Sequence, residues 1–301
     1  MPSQIQYIDR KTQNTITEKT PGGAFMRFIY GENPLGKLLL NGLFKRKLMS
    51  FLFGKLIDSK LSRARVQSFI QDYNMDMSDY LVPDSGFSTF NEFFYRQIKP
   101  EARPIGEGIV SPADGKLLVF NKLEDSQAFF IKGDLFDVRS FLNNEDLAKT
   151  YQHGAMAIIR LAPTDYHRYH FPASGFVGKN HQIKGDYYSV SPIALDKKLR
   201  IFCQNKRCYS VLKTAKFGKI VICDVGATMT GSMIQTHNEN SNVKKGEEKG
   251  YFAFGGSTIV LLFEPNQISF DTDLIEHTKA GIETAILMGE SIGNKLTTEQ
   301  N

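Results

Sequence analysis

The sequence predicts an α+β protein, with a mainly helical, amphipathic N-terminal region over residues 1–105 and a β-rich domain over residues 106–301. Three observations carry this. Leucines recur at helical spacing in the first third of the chain. From residue 106 on, short apolar and β-branched runs alternate with Gly, Pro, Asp and Asn. The chain is 301 residues long and 41% apolar, enough to bury a sizeable core in one large or two modest domains.

Taken in order, residues 1–24 are polar, without the pattern of a cleavable signal, and read with 290–301 as loose ends. Leu35, Leu39 and Leu43, then Leu48, Leu52 and Leu56, fall on helical faces. Between Leu35 and Arg65 there are eight Lys/Arg and one Asp, a net +7 against +5 for the whole chain, so the remainder sums to −2. Such a basic amphipathic stretch fits helices lying in an anionic membrane interface. On periodicity alone it fits a helical subdomain with solvated lysines equally well. No run approaches the ~20 apolar residues of a spanning helix. Nucleic acid is not an expected partner, because the excess charge sits in one segment without a nucleic-acid motif. Leu61–Tyr73 and Thr89–Lys99 read as helices, the second capped by Ser88. Lys116–Phe120, Ala155–Leu161, Lys219–Val225 and Thr258–Phe263 read as strands, with helices near Val138–Leu147. Cys203, Cys208 and Cys223 have neither zinc-type nor disulfide-framework spacing, so no metal is expected and a reducing compartment fits.

The chemistry concentrates at Tyr251-Phe-Ala-Phe-Gly-Gly-Ser-Thr258. Two glycines free the backbone before Ser257, and a strand-like run follows it. Alone, this is more economically a glycine-rich hairpin. Two other segments change the weighing. Ser111-Pro-Ala-Asp-Gly115 places a carboxylate in a turn, and Asp165-Tyr-His-Arg-Tyr-His-Phe-Pro172 supplies His167 and His170 after an apolar run. A serine hydroxyl needs a base, and a histidine base needs a partner to fix its tautomer. Individually, Asp114 suits an Asx-turn and each histidine suits a packed or surface imidazole.

Together these residues resemble the phosphatidylserine decarboxylase proenzymes from about residue 25 to 265. The marks are Phe90-Asn-Glu-Phe-Phe-Tyr-Arg96 with Arg103-Pro104, Ser111–Gly115, Asp165–Pro172, Val225-Gly-Ala-Thr228 and Lys249–Thr258. The cleavage point reads Gly-Gly-Ser-Thr where many relatives have Leu-Gly-Ser-Thr. The resemblance implies that Asp114 orients His170, that His170 activates Ser257, and that Oγ attacks the Gly256 carbonyl. The chain then divides into a large chain 1–256 and a small chain 257–301, which stay associated. Ser257 becomes an N-terminal pyruvoyl, the covalent cofactor. Its keto group condenses with the amine of phosphatidylserine, accepts electrons as CO2 leaves, and releases phosphatidylethanolamine. The resemblance gives His167 head-group contact or proton delivery, and the two histidines could exchange these parts. Oxyanion donors are not identified by the sequence. Arg168 and Lys179 suit a phosphate, although surface solvation suits them better.

The expected place is peripheral, on the cytoplasmic face of a cell membrane, with an anionic surface as partner and a symmetric homodimer as the default assembly. Two other function classes compete. One is a serine hydrolase acting on lipid esters through Ser257, His170 and Asp114. The other is a membrane-surface binding protein without chemistry.

Overall fold

The computed structural model describes residues 5–19, 54–126, 137–186, 201–226, 233–253 and 257–296. The expected amphipathic helices between Leu35 and Arg65 lie largely outside these residues. Within them, the 3-10 turn Lys60–Arg63 leads into the helix Ala64–Asp72, close to the helix expected over Leu61–Tyr73. The expected helix over Thr89–Lys99 is shorter, spanning Phe90–Phe94, and Gln97–Ile98 pairs as a strand with Tyr80–Leu81. Its cap is Thr89 rather than Ser88. The Thr89 hydroxyl accepts from Glu92 N at 3.0 Å, while the Glu92 carboxylate accepts from Ser88 N at 2.6 Å. Phe93 and Phe94 anchor this turn in the interior.

All four expected strands are present. They run as Gly115–Phe120, Ala155–Leu161, Lys219–Gly226 and Ser257–Phe263, joined side by side in a larger mixed sheet. Ser257–Phe263 lies between Lys219–Gly226 and Ala155–Leu161, antiparallel to both. These strands are apolar on both faces because the sheet is covered on both sides. Ile259, Leu261 and Phe263 point into one core and Val260 and Leu262 into the other. Helices Val138–Leu142 and Glu145–Tyr151 contribute Phe141, Leu142 and Tyr151 to the second core. The first core is capped by a three-stranded sheet in the order Met233–Gln235, Glu248–Phe252, Arg168–His170.

The expectation of loose polar ends needs correcting for residues 5–19 and 290–296, the rest of both stretches lying outside the described residues. Gln6–Asp9 adds to the large sheet parallel to Glu283–Ile286, and Thr15–Thr17 pairs back onto it. Ser291–Asn294 pairs with Ser269–Phe270 and Ile109–Val110. Ion pairs tie the N-terminal segment down: Arg10 reaches Asp271 and Asp273 at 2.8 and 2.7 Å, and Glu18 meets buried Arg160 at 2.6 Å. Polar composition here reflects an edge fastened by charge, not an unfastened tail.

Candidate active site

Ser257 opens its strand between Gly226 on one neighbour and Leu161 on the other. Side chains alternate along a strand, so Ser257 shares its face with Ile259 and Leu261 and points under the three-stranded cap. Its side chain is fully buried.

His167 meets it there. Nδ1 lies 3.0 Å from Ser257 Oγ, and Nε2 lies 3.0 Å from the Ala162 carbonyl oxygen. A carbonyl can only accept, so Nε2 carries the hydrogen and Nδ1 is left as the acceptor of the serine O–H. Phe94 stacks on the imidazole with centroids 3.7 Å apart. The backbone is fixed too, since Phe252 N donates to His167 O at 2.9 Å.

The Ala162 carbonyl is itself held. Asp165 N donates to it at 2.9 Å, and the Asp165 carboxylate accepts from Ala162 N at 2.7 Å, closing the turn in both directions. Lys116 Nζ grips the same carboxylate at 2.7 and 2.9 Å. Arg96 donates to the Thr164 and Asp165 carbonyls at 2.9 and 3.2 Å, its guanidinium lying over the Tyr80 ring. Burial pushes the His167 pKa down to about 3; the Asp165 charge resists this and Arg96 assists it. His167 is therefore a neutral imidazole across the physiological range. Burial pushes the Asp165 carboxyl up, but Lys116 outweighs it and the net shift is downward.

His170 stands elsewhere. Its Nδ1 lies 3.0 Å from the Gly246 carbonyl oxygen and its Nε2 3.2 Å from the Tyr166 hydroxyl. Asp114 accepts from Arg103 at 3.1 and 2.7 Å and from Met288 N at 2.7 Å. The hydrogen bonds thus do not trace the expected order from Asp114 through His170 to Ser257. The reason is strand parity: His167 and His170 are three residues apart in an extended segment, so they face opposite sides. His170 and Arg103 instead line a cavity of about 390 Å³ with Tyr166, Glu248, Ile105 and Met288.

The phosphatidylserine decarboxylase family model matches residues 90–294, which hold Ser257, His167, His170, Asp114, Asp165 and Lys116. The chain belongs to the phosphatidylserine decarboxylase family. It is similar over nearly its full length to curated proteins named phosphatidylserine decarboxylase proenzyme. That of Fusobacterium nucleatum subsp. nucleatum is 48% identical over 295 residues, covering 97% of this chain and 98% of the relative. That of Clostridium botulinum strain Langeland is 43% identical over 294 residues, covering 97% and 99%. That of Desulfitobacterium hafniense is 42% identical over 292 residues, covering 96% and 98%.

Among the family's motif residues, Gly256 and Thr228 lie outside the described residues. Arg168 is paired with Glu248 at 2.9 Å and lies over the Tyr251 ring, whereas Lys179 is exposed. Sequence reasoning missed the supports of His167, namely Ala162, Asp165 and Lys116. Lys116 carried a faint signal as the cation that heads an apolar run, a position that demands a partner once the run proves to be a buried interior strand.

Proposed function

We propose that this chain is a self-processing decarboxylase that cuts itself before Ser257, converts that serine to a pyruvoyl group, and turns phosphatidylserine into phosphatidylethanolamine and CO2. The observation that carries the reading is the fully buried Ser257 hydroxyl, 3.0 Å from an imidazole nitrogen whose other nitrogen donates to a carbonyl. A buried nucleophile suits attack on its own chain, which needs no access from solvent.

In the first stage His167 Nδ1 takes the Ser257 proton as Oγ attacks the preceding carbonyl carbon, and the amide becomes an ester. The same imidazole returns the proton to the departing nitrogen, so no net charge accumulates in the dry site. Loss of the Ser257 Cα proton then expels the upstream chain as a carboxylate. The dehydroalanine left behind takes up water and releases ammonia. A serine in this setting, with a neutral base at its oxygen, fits conversion to the cofactor in place.

A pyruvoyl group there supplies a keto carbon to hold the substrate amine and an electron sink for the departing carboxylate. His167 is then placed to move a proton at the same position, the part expected of it from sequence. His170, Arg103 and Tyr166 border the neighbouring cavity, where they would orient the polar head group. Residues 257–263 are hydrogen-bonded on both edges to strands of the upstream piece, so both pieces remain one molecule. Leu56 and Leu61 are exposed beside Lys60, Arg63 and Arg65. This favours a peripheral seat on an anionic membrane surface.

The test is the intact mass of the purified, denatured protein. Two chains divided between residues 256 and 257 are expected, the smaller lighter than a serine-initiated chain by the mass of one ammonia. A single unmodified chain from folded protein would refute self-processing. Labelling of Ser257 by a fluorophosphonate would then favour the hydrolase.

A further inference from the structure

A second polar cluster is buried one step along the same face from Ser257, and the chemistry above does not use it. Asp224 and Lys249 are both fully buried, with Nζ 2.9 Å from Oδ2. Gln235 joins them, accepting from Lys249 Nζ at 2.7 Å and donating to Asp224 Oδ2 at 2.7 Å. The Tyr169 hydroxyl donates to Asp224 Oδ2 at 3.2 Å and accepts from Gln235 Nε2 at 3.0 Å.

Its place is set by register. Gly226 pairs with Ser257 and Asp224 pairs with Ile259, so the carboxylate projects one pleat repeat from the serine, roughly 7 Å along the sheet. On the covering sheet, His167 and Tyr169 are likewise two residues apart and on one face. The two layers therefore meet through two polar rungs in the same register, His167 on Ser257 and Tyr169 on Asp224. Two backbone features serve the second rung. Glu248 pairs with His170 and Gly250 with Tyr169, so Lys249 is the extra residue of a β-bulge, which turns its side chain inward. A Cβ on Gly250 would stand 2.7 Å from the Tyr169 hydroxyl and 2.2 Å from the Ile234 carbonyl, so only glycine lets the tyrosine cross there.

Stability does not account for this cluster. A buried ion pair is about neutral against an apolar replacement, whereas its directional bonds select one register over its neighbours. Between two layers that are otherwise greasy, a slip of one residue would turn His167 away from Ser257.

Resting on the self-processing reading, we propose that Tyr169, Asp224, Lys249 and Gln235 form a register lock that holds His167 against residue 257. Tyr169 and Asp224 are then positioning residues for the steps His167 performs.

The test compares wild type, Tyr169→Phe and the charge-free double variant Asp224→Asn/Lys249→Met across pH 5 to 8. Two rates are read: appearance of the chain beginning at residue 257, and CO2 release from phosphatidylserine vesicles per cut chain. Thermal unfolding is followed alongside. The lock predicts that at least one rate falls tenfold or more in Tyr169→Phe. It also predicts a new acid limb near the ordinary histidine range, because a loosened His167 is no longer held neutral by burial. A merely structural hydroxyl would lower the unfolding midpoint and leave the shape of the pH profile unchanged. Wild-type rates in both variants, or slowing without the new acid limb, would overturn the lock while leaving self-processing intact. A wild-type chain that stays whole and releases no CO2 would overturn the self-processing reading and the lock with it.

Discussion

At the scale of single residues, the two histidines of one short motif occupy unlike environments. His167 is sealed between Phe94, Ser257 and the Ala162 carbonyl, whereas His170 borders a cavity. Replacement separates their parts. His167→Ala is expected to slow the cut before Ser257 by about 10²-fold or more, the usual worth of a positioned base. Gel resolution of the two chains over time measures this. If His167→Ala is cut normally while His170→Ala stays whole, the base is His170 and the His167 contact serves only the decarboxylation. A pH effect on stability follows from the same burial. The folded His167 pKa, about 3, lies below the unfolded value near 6.5, so the unfolded chain binds more protons between them. Stability is full above pH 6.5 and is lost as pH falls toward 3. His170 is shifted the same way, by burial. For uncut Ser257→Ala protein, His167 alone should cost roughly 2–3 kcal/mol between pH 7.5 and 4.5, at about 1.4 kcal/mol per unit. Urea unfolding at the two pH values would detect it, and equal stabilities would contradict a neutral buried imidazole.

At the scale of elements, long interior strands were legible in the sequence and short edges were not. Ala155–Leu161, apolar but for Arg160, and Thr258–Phe263, apolar after its threonine, emerge as strands at nearly the expected bounds. Gln6–Asp9 carries one aliphatic residue in four, and its pairing depends on Glu283–Ile286, far away in the chain. The site residue types were likewise legible as motifs, but their partners were set by strand parity and by a turn. That turn, residues 162–165, depends on the Lys116–Asp165 pair, and its energetics can be isolated. Asp165→Asn should destabilise the protein by about 3 kcal/mol or more, because it strands a buried lysine charge. Adding Lys116→Met should recover most of that loss. Urea midpoints of both variants measure the coupling, and additive losses would show that the pair is not coupled.

At the scale of the whole molecule, the proposed break falls where the chain can be cut without coming apart. The strand that begins at Ser257 is the middle of the sheet, with Ala155–Leu161 on one edge and Lys219–Gly226 on the other, and its side chains fill both cores. The downstream piece also supplies Glu283–Ile286, which pairs with Gly115–Phe120 and Gln6–Asp9, and Ser291–Asn294, which pairs with Ile109–Val110. Arg10 and Arg160 add ion pairs across the same divide, to Asp271, Asp273 and Glu283. One lost peptide bond removes none of these contacts, and each buried large apolar side chain is worth about 1.5–3 kcal/mol. The two pieces are therefore expected to co-elute in gel filtration at the size of the intact fold, in high salt as in low, because the apolar strand contacts outnumber the ion pairs and salt screens only the latter. They should separate only across the urea range that also abolishes the far-ultraviolet signal of the sheet. Release of the small chain in native buffer would mean that the middle strand can leave a sheet it is paired into on both sides, and would contradict the topology itself.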